Sequence, residues 1–179
     1  LVLVLAALAD GLFIGTTGAL MTGDSDALVY SIDGRRSLVR SELPRADLPE
    51  IEGVPGVADV GTLGVLLTTA TAAVSAEPFD AAVIGHSPGH AGEPTKLVDG
   101  RRPETGESGV VLADVSLQAE GVSLGDTLTI ETPDEREHEL RLVGTAYAAG
   151  APPAFALGYP SGYIDTDTLE TLGYGRTYD

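Results

Sequence analysis

The 22 residues from 109 to 130, GVVLADVSLQAEGVSLGDTLTI, leave the chain few choices. Val110, Val111 and Leu112 make an apolar run of strand length. Asp114 is placed to cap a two-turn helix reaching Glu120, and Gly121 supplies the left-handed residue that stops it. Gly125 and Asp126 turn the chain into a strand on which Leu128 and Ile130 alternate with Thr127, Thr129 and Glu131. Period-two alternation sends the leucine and isoleucine to a buried face and the others to the opposite one. Gly121, Gly125 and Asp126 are therefore read as structural turn residues.

The rest of the chain has the same grammar. TPDEREH reads as a charged hairpin loop, and the return strand again alternates, with Leu140 and Leu142 inward and Arg141 outward. Residues 57–75, rich in Val, Leu and Thr and broken by Gly61 and Gly64, predict one or two strands with a bend, and 27–32 and 79–84 predict two more. A strand at 163–165 leads into a short helix at 167–172 that ends at Gly173, and Asp47 and Pro49 open another at 48–51. Glycines and a proline make a loop up to about Lys96. The expected fold class is α+β: a strand-dominated mixed sheet with a few short helices and no solenoid repeat.

Residues 1–21, LVLVLAALADGLFIGTTGALM, follow another rule. Their only ionisable side chain is Asp10. As a helix they span roughly 31 Å at ~1.5 Å per residue, against a hydrocarbon core of ~30 Å. They read as a transmembrane helix end preceding a domain at 22–179, with a buried helix of a soluble domain and a processed export signal as the alternatives. Ala7, Gly11 and Gly15 recur every four residues, a small-residue stripe on which a second membrane helix can pack closely.

Charge limits the partners. With 27 acidic and 10 basic residues the formal net charge is −17, a surface that repels phosphate backbones, so no nucleic-acid partner is expected. There are no cysteines, which excludes disulfides and thiolate metal sites.

One stretch invites a catalytic reading. Gly85-His86-Ser87-Pro88-Gly89 satisfies the G-x-S-x-G pattern that presents a nucleophilic serine in α/β-hydrolases. The residue after that serine must donate its backbone N–H to the oxyanion, and here it is Pro88, which has none. Gly89, Gly92 and Pro94 also disfavour the helix that the turn must enter. Ser87 is read as a loop serine. His86 and His90 are four apart, but Pro88 and Gly89 between them argue against the shared helical face that a zinc pair uses. Asp24 and Asp26 lack the glycine and distal glutamate of a calcium loop, and Asp134 to Glu139 reads as a solvated hairpin tip. Tyr147, Phe155, Tyr159 and Tyr163 cluster in sequence with Pro152, Pro153 and Pro160, as a loop packed on the sheet or facing a partner. No catalytic, cofactor-binding or metal-ligating residue is assigned, and no Walker loop is present, so ATP would have to be used by another chain.

The order of parts resembles a known family. GVPGVADV, VIGHSPG, LVDGRRPETGESGVVLADVSLQAEGVSLGDTLTI, LRLVGTA and SGYIDTDTLETLGY follow one another as in the extracytoplasmic core domain of MacB/FtsX-like ABC-transporter permeases. The carrying residues are Gly100-Arg101, Gly106-Glu107, Val110 to Leu112, Gly121, Gly125-Asp126 and Val143-Gly144. The resemblance implies a permease of the cell membrane that works as a homodimer with a separate cytoplasmic ABC ATPase, residues 22–179 lying on the extracytoplasmic side. No active site follows from it. A membrane-anchored extracellular ligand-binding module is the alternative reading.

Overall fold

A computed structural model describes residues 25–34, 40–75, 77–94, 96–132, 134–147, 159–174 and 177–178. The expected membrane helix with Ala7, Gly11 and Gly15 lies outside them, as do Asp24 and the Pro152, Pro153 and Phe155 part of the aromatic loop. Among the described residues no helix is long and apolar enough to cross a membrane.

The chain forms β1 (Leu43–Pro44), α1 (Leu48–Glu52), β2 (Leu63–Ala72), β3 (Pro78–His86), β4 (Lys96–Gly100), β5 (Val110–Asp114) and β6 (Thr127–Glu131). It continues with β7 (Glu137–Tyr147), β8 (Ser161–Asp165), α2 (Thr166–Thr171) and β9 (Thr177–Tyr178). Short 3₁₀ turns occupy Ile32–Gly34, Arg45–Asp47 and Val115–Glu120.

Seven strands lie in the order β4-β7-β5-β8-β3-β2-β6, and β6 pairs with β7 as well. Arg141 of β7 stands opposite Val110 of β5 on one side and Thr127 of β6 on the other. The sheet therefore closes on itself as a six-stranded ring, and β4 extends it beyond the far half of β7. Two pairings, β3 with β8 and β5 with β7, are parallel, and the others are antiparallel.

Alternation fills the ring. Leu128 and Ile130 of β6, Leu140 and Leu142 of β7, and Val111 and Ala113 of β5 share one core with Val83 of β3 and Ile164 of β8. Leu169 and Leu172 of α2 join it, as do Leu117 and Val122 from the segment after β5. Leu169 comes so close that a Cβ on Gly85 would stand 2.6 Å from its Cδ2. β5 is buried on both faces, because Leu112 turns outward to pack with Ala146 and Tyr163. A separate two-stranded sheet pairs β1 with β9, so that Leu43 faces Tyr178 and Pro44 faces Thr177.

Three details differ from the sequence reading. Residues 27–32 form no strand. Ser31 and Ser41 take their backbone groups instead: Ser31 N–H donates to Ser41 Oγ at 3.0 Å, and Ser31 Oγ accepts from Gly34 N–H and Glu42 N–H. The glycines at 61 and 64 do not bend a strand but admit close neighbours, since a Cβ at Gly61 would meet the Ala91 carbonyl oxygen at 1.7 Å. β4 begins at Lys96, where the expected loop ends, and the sequence reading named no strand there; all five of its residues are exposed, so no alternation marks it.

Candidate functional site

The hydroxyl of Ser87 is engaged by its neighbours. β3 ends at His86 and is followed by a turn over 88–89, not a helix. Ser87 Oγ lies 2.6 Å from Thr62 Oγ1 and accepts from Thr62 N–H at 3.3 Å; Thr62 Oγ1 is in turn 3.2 Å from Thr166 Oγ1 at the start of α2. This hydroxyl chain ties β3, the entry to β2 and α2 together. The serine is occupied by structure.

The two histidines part company. His90 Nδ1 lies 2.7 Å from Asp59 Oδ1, and Asp59 Oδ2 accepts the Ala91 N–H at 2.9 Å, so one carboxylate holds the turn from two points. The hydrogen bond with His90 lowers the Asp59 pKa. His86 is 2% exposed, and among the described residues neither ring nitrogen has a partner at hydrogen-bond geometry. Burial lowers its pKa, with Glu93, the Ser87 backbone and Asp165 pulling the other way and Arg102 reinforcing the fall. Among the described residues no group of three or more His, Asp or Glu is arranged to hold a metal ion.

A strap over residues 100–107 covers this end of the sheet. Arg101 makes a two-pronged pair with Glu107, Nη1 to Oε2 at 2.7 Å and Nη2 to Oε1 at 2.6 Å, and Glu107 also accepts the Glu104 N–H at 2.9 Å. The Arg101 guanidinium holds the Glu107 carboxyl down to about 2. Arg102 pairs with Glu93 at 3.0 Å. Asp165, which ends β8, caps α2 by accepting the Asp167 N–H at 2.8 Å and ties down the strap by accepting the Gly106 N–H at 3.2 Å. Arg101 N–H donates to the Val143 carbonyl at 3.0 Å, and the Arg101 carbonyl passes so near Gly144 that a Cβ there would lie 2.2 Å from its oxygen.

The residues that carried the family resemblance thus meet in space. Gly100-Arg101 crosses Val143-Gly144, Glu107 clamps Arg101, and Gly125 N–H donates to the Leu142 carbonyl at 2.8 Å while Asp126 Oδ2 accepts Ser123 N–H at 2.8 Å. Gly121 and Gly125 have φ of 78° and 90°. Sequence reasoning missed Asp165 as a cap and the Arg101–Glu107 pair; the latter's spacing of six has no periodic signature. The acidic hairpin is a solvated turn in which Thr132 Oγ donates to Asp134 at 2.5 Å and Arg136 pairs with Asp134 at 3.2 Å. The carboxylates of Asp59, Glu107, Asp126 and Asp165 each accept a backbone N–H and so position the chain.

No family model matches the sequence, and no curated protein matches it either. Solved structures do. The extracellular domain of the noncanonic ABC-type transporter YknZ from Gram-positive bacteria aligns at TM-score 0.57 and 17% identity, over 76% of this chain and 70% of that one. The periplasmic region of MacB from Actinobacillus actinomycetemcomitans aligns at TM-score 0.57 and 17% identity, over 82% of this chain and 66% of that one. The fold is that of MacB-like periplasmic domains. In this MacB-like fold the strap, the cap and the glycine crossing are architectural, and they account for the order of motifs without assigning chemistry to any of them.

Proposed function

We propose that residues 22–179 form the extracytoplasmic domain of an ABC-transporter permease, anchored by a membrane helix in residues 1–21 and doing mechanical rather than chemical work. A separate cytoplasmic ATPase drives the membrane helices of a permease homodimer, and the domain carries that motion outward to gate or expel a substrate. The observation that supports this reading is the fold shared with two transporter external regions over at least three quarters of the chain. The closed ring of strands suits the role, because a ring deforms less than an open sheet with two free edges.

The junction before residue 25 must then be short and stiff. Inserting ten Gly/Ser residues after Gly23 replaces it with a coil whose ends average roughly 16 to 19 Å apart and cannot push. Transport by the full-length permease should be abolished while the partner ATPase still binds ATP. Transport at the wild-type rate would falsify mechanical coupling. One observation favours a second reading, the membrane-anchored ligand-binding module: a groove of about 430 Å³ lies between residues 25–29, α1 and residues 56–63, lined by Leu28, Leu48, Ile51 and Val60. A passive binder tolerates the insertion, because a longer tether alters only its reach.

A further inference from the structure

Ring closure leaves one strand with a vacant side. Among the described residues, β4 is bonded only to β7 and forms the open end of the seven-stranded order, whereas β6 at the other end is joined back to β7. All five β4 residues are exposed, and Leu97 and Val98 are 37% and 49% exposed. Leu124 and Tyr147, exposed at 40% and 55%, lie beside it: Tyr147 stands opposite Lys96, and Leu124 lies against Gly100. An apolar margin on an unpaired strand is a template for another strand.

The charges on β4 point to what that strand is. Lys96 is the only lysine of a chain with a net charge of −17, and Asp99 follows it on the same strand. The pairing with β7 skips Val98, since Leu97 faces Ala146 and Asp99 faces Thr145. This bulge brings Lys96 and Asp99, three apart, onto one face of the sheet. Two copies of β4 running antiparallel about a twofold axis then match in one register. Lys96 meets the second copy's Asp99, Leu97 meets its Val98, and symmetry repeats both pairs. Opposite charges fall opposite, and apolar side chains fall on apolar side chains.

We propose that β4 is a self-association edge, through which two copies of this chain pair strand to strand in the register of Lys96 on Asp99. Over most of their surface two such acidic chains repel each other. Here the one lysine turns that repulsion into an attraction. The surface stands independently of the transporter reading, as it needs neither ATP nor transport.

These 179 residues contain no cysteine, which allows a direct test in the full-length chain in mild detergent once any cysteine outside them is replaced by serine. Differently tagged Leu97→Cys and Val98→Cys copies are mixed and oxidised gently. The mixed 97–98 disulfide should form in excess over 97–97 and 98–98 disulfides, an outcome that an interface elsewhere on the molecule does not produce. In that background Lys96→Asp or Asp99→Lys, introduced into both copies, should each lower the mixed yield of order tenfold at low salt, since two attractive pairs become repulsive. The double reversal K96D/D99K should restore it, and this recovery also shows that the single variants fail through charge rather than folding. Equal yields of all three disulfides, or a mixed yield indifferent to the reversals, overturns the proposal and leaves Lys96 and the bulge as guards against edge pairing.

Discussion

At the scale of single residues, one tightly constrained position is a glycine chosen for space. Gly144 is not in the left-handed region, yet a Cβ there would stand 2.2 Å from the Arg101 carbonyl oxygen and 2.9 Å from Leu112 Cδ1. Gly144→Ala must push the strap off β7, at a cost of about 1 to 3 kcal/mol. In a chain of this length that lowers Tm by roughly 2 to 4 °C per kcal/mol, which calorimetry will read. His86 makes a pH-dependent contribution. Its folded pKa lies below the ordinary 6.5, so the unfolded chain takes up the proton first. Stability from this group is complete above pH 6.5 and is lost as pH falls below it, with a slope of at most about 1.4 kcal/mol per pH unit. In His86→Leu the slope just below 6.5 should flatten. Urea titrations at pH 7 and 5.5 compare the two proteins, and an unchanged slope would assign the effect to another group.

At the scale of elements, Asp165 joins what the sequence presents as separate pieces. It closes β8, caps α2 and holds the strap through Gly106. Asp165→Ala should cost about 1 to 2 kcal/mol and loosen the strap, while Asp165→Asn, which keeps one accepting oxygen of the two, should retain one of these hydrogen bonds and lose less. Hydrogen exchange at Gly106 and Asp167 separates the two variants: equal protection in both would show that neither amide depends on the side-chain oxygen. The same pattern explains what could be read in advance. β6 and the first half of β7 were legible because one face is buried and the other is wet, which writes Leu128, Ile130, Leu140 and Leu142 into alternate positions. β4 was not, because all its residues are exposed, and 27–32 misled because its apolar residues pair with no strand among the described residues. The strap was legible as a string of glycines and charges but not as a clamp. An ion pair six residues apart depends on where Gly144 lets the backbone cross.

At the scale of the whole molecule, charge and topology act together. A net charge of −17 on a chain of 179 residues opposes its own compaction, and salt screens that term. Tm should therefore rise between about 0.05 and 1 M sodium chloride, the Debye length falling to ~3 Å at the upper end. A Tm that falls with salt would show that the pairs at Glu107, Glu93 and Asp59 outweigh the general repulsion. The ring keeps its strands from slipping, since every register is fixed on two sides. The β1–β9 pairing has a different kind of consequence. Segments entering and leaving the ring are brought within one strand spacing of each other, about 4.8 Å. Two leads that run side by side as an antiparallel pair are the geometry that lets a module sit within a surface loop of a larger chain without prising it apart.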